Sequence, residues 1–202
     1  FQILTTTKVG SIPFVTIDNQ DKYLPFINDL LFSYRDLYEA QDYIKQYGKG
    51  YHRYFMLPDY THHILTMSLV EKVGDSCNKL SKPEFSITTR GGYRPLTTKQ
   101  VIEFTHSVHF DAVEAFCNSP LEKKKSPKKL KQLHAVVLSR LNEMVSMKKE
   151  LDCTTRIIAS VGLTGGVEDI DYIRNIRKTG IHEIVFDVEY AEDSANIISF
   201  VK

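Results

Sequence analysis

Apolar side chains recur at Leu130, Leu133, Val137, Leu141, Met144 and Val145, mostly at spacings of three and four. With 3.6 residues per turn, that rhythm gathers them on one stripe and predicts a long amphipathic helix. Shorter apolar blocks flank it. Asp111 to Cys117 reads as a short strand, and Arg156-Ile-Ile-Ala-Ser-Val161 as a compact apolar one. Gly165-Gly166 then breaks the pattern, Val167 to Thr179 has helical spacing, and Gly180 supplies a stop. Glu183 to Val188 predicts another strand, and Ala191 to Val201 a further helix. Upstream, Glu84 to Thr89 predicts a strand, and Thr97 or Thr98 is placed to cap a helix running to about His109.

Strands and helices that alternate in this way imply a parallel sheet with right-handed crossovers. An open sheet and a barrel both satisfy the pattern. A full (β/α)8 barrel takes about 250 residues. The 202 residues here have room for four or five strand-helix units, so a barrel would be incomplete in this chain. The first 80 residues are less regular. Ile3 to Thr7 suits a strand, Asp36 to Gln46 a helix, and the dense Tyr and Phe suit packing or a partner surface. The expected organisation is one domain over 1–202, with an irregular, β-containing region over 1–80 and βα units over 81–202.

Composition narrows the class only slightly. Apolar residues make up 42% and charged residues 25%, ordinary for a globular protein. A net charge of +1 gives no global attraction for nucleic acid, so any RNA contact needs a local patch. Three scattered cysteines, Cys77, Cys117 and Cys153, fit a reducing compartment better than a disulfide framework. They form no Cys-x-x-Cys pair, so no cysteine-based metal site is expected. No apolar run approaches the roughly 20 residues of a membrane span, and Phe1 to Lys8 lacks the core of a secretory signal. The chain starts without Met and stops at Phe200-Val-Lys202, inside an apolar segment, as a piece of a longer protein would.

The sharpest charge feature is Lys123, Lys124, Lys125, Lys128, Lys129 and Lys131, six lysines in nine residues. In a parallel fold this run follows a strand, which places it near the sheet's carboxyl edge, where ligands bind. Lysines there can neutralise nucleic-acid phosphates, although a solvated helix start is the commoner use of such a run. Thr164-Gly165-Gly166 follows a buried strand and precedes a helix, so its backbone N–H groups can meet an anion or a base edge. Asp187 and Glu189 fall at a strand end and can serve acid-base chemistry, but Glu192 and Asp193 make the neighbourhood simply acidic. His106 and His109 have a helical spacing that can serve a metal, with no third ligand nearby. His62-His63 is weaker, because two adjacent side chains point in different directions. No Gly-x-Ser-x-Gly, phosphate-binding loop or His-Glu-x-x-His occurs.

Several segments, taken in order, resemble the tRNA-guanine transglycosylase family. Lys8-Val-Gly-Ser-Ile-Pro-Phe14 is similar to the Gly-x-x-Pro opening of the family's non-catalytic accessory subunits. Tyr47-Gly-Lys-Gly-Tyr-His-Arg-Tyr-Phe-Met-Leu-Pro58 resembles their Gly-rich stretch running into Met-x-Pro. Gly91-Gly-Tyr-Arg-Pro-Leu-Thr97 with Val101-Ile-Glu-Phe104 resembles the family's Leu-Thr-Pro-Glu helix start. Ala115-Phe-Cys-Asn-Ser-Pro120 stands where catalytic members have an Ala-Phe-Asp-Glu-Cys strand end, and Gly165-Gly166 where they have Gln-Gly-Gly.

The resemblance implies a TIM-barrel type α/β fold, with these segments building its earlier part. Catalytic members exchange guanine for queuine at the tRNA wobble position, using an aspartate nucleophile on the ribose and polar groups that read the flipped base. In this chain the base-reading aspartate is replaced by Cys117 and the glutamine by Thr164. The family's Asp-Ser-Gly-Gly-Phe-Gln segment falls near Asp59 to Leu65, which has no Gly-Gly, and its next Gly-Gly falls near Asp187-Val188. Each polar partner missing from a base pocket costs on the order of 1–3 kcal/mol. Cys117, Thr164, Gly165, Gly166 and Asp187 then read as vestigial pocket positions. The resemblance thus implies an accessory role in queuosine synthesis without catalysis, no cofactor in this chain, and the family's zinc held by its Cys-x-Cys-x-x-Cys segment in the later half of the barrel. It implies the catalytic subunit and tRNA as partners, with a homodimer as the alternative assembly. It also implies a cytoplasmic location, or a peripheral one on the mitochondrial outer membrane. A catalytic barrel enzyme using Asp187 or Asp59 is the rival expectation.

Overall fold

A computed structural model describes residues 5–7, 22, 29–57, 62–66, 85–89, 91–115, 127–162 and 167–187. The fold is α/β. Six strands form one sheet: β1 (Thr5–Thr7), β2 (Asp29–Ser33), β3 (His62–Thr66), β6 (Ala112–Glu114), β7 (Arg156–Gly162) and β8 (Ile184–Asp187). Every neighbouring pair is parallel, and the strands stand side by side in chain order. Parallel neighbours need a crossover between them. Because crossovers are right-handed and the order never reverses, the connecting helices belong on one face of this sheet.

β4 (Phe85–Thr89) and β5 (Gly92–Leu96) stand apart as an antiparallel hairpin between β3 and β6. The strand expected over Glu84–Thr89 is therefore present but does not join the parallel sheet. Register pairs Thr89 with Gly92, and a connection that short permits only antiparallel pairing. The Thr89 hydroxyl accepts from the Gly91 N–H at 3.2 Å and donates to the Gly92 carbonyl at 3.0 Å. Gly92 takes φ of +93°, a conformation glycine adopts without penalty.

The region expected to be irregular supplies three strands of the parallel sheet, β1, β2 and β3. Asp29-Leu-Leu-Phe-Ser33 lacks the polar-apolar alternation of a half-exposed strand, because four of its five residues are buried and Leu31 is partly so. A parallel strand covered on both sides reads as a short run, with no period to detect. After β2 come α1 (Tyr34–Leu37), a 3-10 turn (Tyr38–Ala40), α2 (Gln41–Tyr47) and α3 (Gly50–Tyr54).

The helix signals of the second half hold closely. α4 (Thr98–Val108) starts at Thr97, whose side chain accepts from the Gln100 N–H at 3.2 Å. Gln100 Oε1 in turn accepts from the Thr97 N–H at 2.8 Å. This reciprocal cap satisfies two helix-end donors. α5 (Pro127–Glu150) buries Leu130, Leu133, Val137, Leu141 and Met144. α6 (Val167–Lys178) is followed by Gly180 at φ of +86°. The helix expected over Ala191–Val201 lies outside the described residues. No helix among the described residues is long and apolar enough to cross a membrane.

The core centres on aromatic rings brought together from β2, α1, α3, α4 and the short link that follows α4. Phe32 meets Tyr51 edge-on at 4.8 Å between centroids, Tyr51 lies 4.3 Å from Phe110, and Tyr34 meets Phe104 at 5.3 Å. Phe32→Ala removes a fully buried ring and should cost about 3–5 kcal/mol. Thr97→Ala removes one cap and should cost about 1 kcal/mol. Urea denaturation of both variants checks that ordering. A Phe32→Ala loss no larger than that of Thr97→Ala would remove Phe32 from the centre of the core.

Candidate functional site

Successive residues of a strand point to opposite faces of a sheet, and in this sheet the two faces differ. On one, Leu30, Phe32, Val113, Ala115, Ile157, Ala159 and Val161 join the main core with the helices. On the other, Ala112 and Ile158 form a small apolar cluster with Leu31 and Val185 beside it. Buried polar residues of the same parity border that cluster. Asp29 lies on its amino side, and Ser33, Glu114 and Ser160 on its carboxyl side.

Register lines these groups up. Ser33, Thr66 and Glu114 occupy one row across β2, β3 and β6. Ser160 lies two residues beyond Ile158, the register partner of Glu114. Asp187 ends β8 and pairs in register with Gly162. The row thus follows the carboxyl ends of the strands, the edge where parallel α/β folds hold ligands. Ser33 is committed locally, since its hydroxyl accepts from the Asp36 N–H at 3.5 Å and caps α1. Glu114 is 6% exposed, and a buried carboxylate needs compensating contacts. At a strand end such a group can accept from a base edge or a ribose hydroxyl, or move a proton.

Asp187 stands at a strand end, as its sequence position implied. Cys117, Thr164, Gly165, Gly166, Lys123, Lys124 and Lys125 lie outside the described residues, as do Asp59, Glu189, Glu192 and Asp193. Lys128 and Lys131 are exposed on the first turns of α5, and Lys129 belongs to the same helix. With 24 residues, α5 is about 36 Å long, whereas the seven residues of β7 span about 23 Å. α5 leads into the amino end of β7, so its lysine-bearing turns reach past the carboxyl edge of the sheet.

The histidine pair is not a helical metal site. His109 closes α4 at φ of +60° and leaves the helical path, so His106 and His109 do not share one helix face. His62 and His63 are consecutive in β3. Among the described residues no group of three or more His, Cys, Asp or Glu could hold a metal ion.

Glu114, Ser33 and Ser160 do not stand out in the sequence. Their signal is the alternation in Ile157-Ile-Ala-Ser-Val161 and Ala112-Val-Glu-Ala115, where every second residue faces away from the helices. It becomes readable once the strands are known to be parallel and one-sided. No protein-family model matches the chain, and a search of curated proteins finds no match. The resemblance to the transglycosylases therefore rests on the quoted segments.

Burial changes the chemistry of two phenols outside this row. Tyr34 and Tyr51 are held far above the ordinary tyrosine range, first by burial, then by Tyr38 and Asp42 near Tyr34 and by Tyr54 near Tyr51. The Tyr34 hydroxyl donates to Gln41 Oε1 at 3.1 Å. Burial also lowers the pKa of Arg140, against an opposing effect of Glu143. In the unfolded chain the two phenols lose their protons near pH 10, while in the fold they keep them. The stability this represents is present below about pH 10 and falls as pH rises above it, by up to about 1.4 kcal/mol per pH unit for each residue. Urea denaturation between about pH 9 and pH 11 should show that slope flattened in Tyr34→Phe and Tyr51→Phe. An unchanged slope in both would assign the alkaline loss to other groups.

Proposed function

We propose that the chain is a non-catalytic subunit of a eukaryotic queuine tRNA-ribosyltransferase. It binds the catalytic subunit and tRNA, and supports guanine-to-queuine exchange at the wobble position without performing it. The observation that carries this reading is the winding of the sheet. Six parallel strands in chain order, with a helix-packed face, match the way a (β/α)8 barrel is wound, and a doubly wound sheet reverses partway. The order of the quoted segments supplies the family. The absence of chemistry is supported by Cys117 and Thr164 in two base-reading positions and by the lack of Gly-Gly near Asp59 to Leu65. Lys128 and Lys131, exposed on the first turns of α5, supply phosphate contacts beside the carboxyl edge. Zinc is assigned to the family's cysteine set, which has no counterpart in this sequence, and the location to the cytoplasm or the mitochondrial outer surface.

One observation favours a second reading, a barrel enzyme. Glu114 is buried in the polar row, and Asp187 ends a strand of the same edge. Two carboxylates so placed can work as acid and base.

Labelled guanine and tRNA separate the two readings. The chain alone should incorporate no label. With the catalytic subunit it should support exchange, and Asp187→Asn and Glu114→Gln should leave that support within about twofold (under 0.5 kcal/mol). Incorporation by the chain alone, lost in Asp187→Asn, would establish the enzyme instead. For tRNA binding, Lys128→Glu with Lys131→Glu should lower the slope of log affinity against log salt by about 1 for each phosphate that is no longer neutralised. An unchanged slope would remove these lysines from the tRNA surface.

A further inference from the structure

The opposite, amino-terminal edge of the sheet carries a cleft of about 460 Å³ that the proposed function does not use. It lies where the last turn of α5, the start of β7 and the link from α6 to β8 converge. Its basic groups come from all three: Lys148 and Lys149 from α5, Arg156 from β7, and His182 from the link. Ile157 and Ile181, both buried, form part of its apolar lining.

We propose that this cleft binds a phosphate monoester whose body presents one flat apolar face, as the base of a nucleoside monophosphate does. The charge balance selects the headgroup. Arg156 Nη1 donates to both carboxylate oxygens of Glu183 at 2.8 Å, which fixes the guanidinium and cancels one charge. Lys148, Lys149 and Arg156 against the one carboxylate of Glu183 leave about two positive charges, a match for a dianion rather than a carboxylate. Lysines at a helix end also complement the helix dipole. That role asks nothing of the neighbouring strand or link, whereas here Arg156 and His182 face the same concavity as the lysines. The volume lies within the range of small-molecule sites, and the two isoleucines contribute to the cleft's apolar wall. The inference is independent of the tRNA reading, because none of these residues belongs to the carboxyl edge or to the Lys123–Lys131 run.

Calorimetric titration at low salt with 5′-AMP, adenosine and inorganic phosphate tests it. AMP should bind more tightly than either fragment. Lys148→Ala with Lys149→Ala, verified as folded by circular dichroism, should weaken AMP by at least tenfold. As an independent check, Ile181→Ala should weaken AMP while leaving inorganic phosphate unchanged. The proposal is overturned if AMP does not bind, if the double lysine variant binds it equally well, or if adenosine or phosphate alone binds as tightly as AMP.

Discussion

Each strand of the parallel sheet must satisfy two faces at once, and the chain gives them unlike partners. Phe32, Val113, Ile157, Ala159 and Val161 point into the aromatic and aliphatic core under the helices, while Leu31, Ala112, Ile158 and Val185 form a thin apolar patch on the other side. A register slip of one residue would exchange these sets and drive Glu114 and Ser160 into the core, at the cost of burying unpaired polar groups there. The register is also held at the amino end of β7, where Thr155 Oγ1 donates to the Phe110 carbonyl at 2.8 Å and the Arg156 N–H to the Asp111 carbonyl at 2.9 Å. The unbroken strand order, the placement of the helices and the polar row at the carboxyl edge all depend on that parity.

What can be read from the sequence follows the strength of local signals. The helical stripe of Leu130 to Met144 and the cap at Thr97 are legible, because a long period and a side-chain cap are properties of a few neighbouring residues. β2 is not legible. Its residues are set by burial on two sides, a tertiary condition with no local period. The β4–β5 hairpin is half legible. The strand at Phe85–Thr89 is visible, but its partner is decided by the tight turn at Gly91-Gly92. At the candidate site, the position of Asp187 at a strand end can be anticipated. The row formed by Ser33, Thr66 and Glu114 cannot, since it exists only through the pairing of three strands far apart in sequence.

The two edges of the sheet have different electrostatic characters. At the carboxyl edge, acceptors and hydroxyls lie on the strands, and the exposed Lys128 and Lys131 stand at the start of α5. At the amino edge, cations from the last turn of α5 and from β7 surround a concave apolar lining, and one ion pair holds Arg156 in place. Exposed pairs of this kind add little stability, about 0–1 kcal/mol, so the Arg156–Glu183 bridge counts mainly as a positioning element. The two edges therefore suit ligands of different kinds.

The proposed accessory role requires this chain to join the catalytic subunit. Light scattering on an equimolar mixture with the catalytic queuine tRNA-ribosyltransferase subunit tests it most directly. A single species is expected, with a mass equal to the sum of one copy of each chain. Two species that keep their separate masses, with or without tRNA, would contradict it.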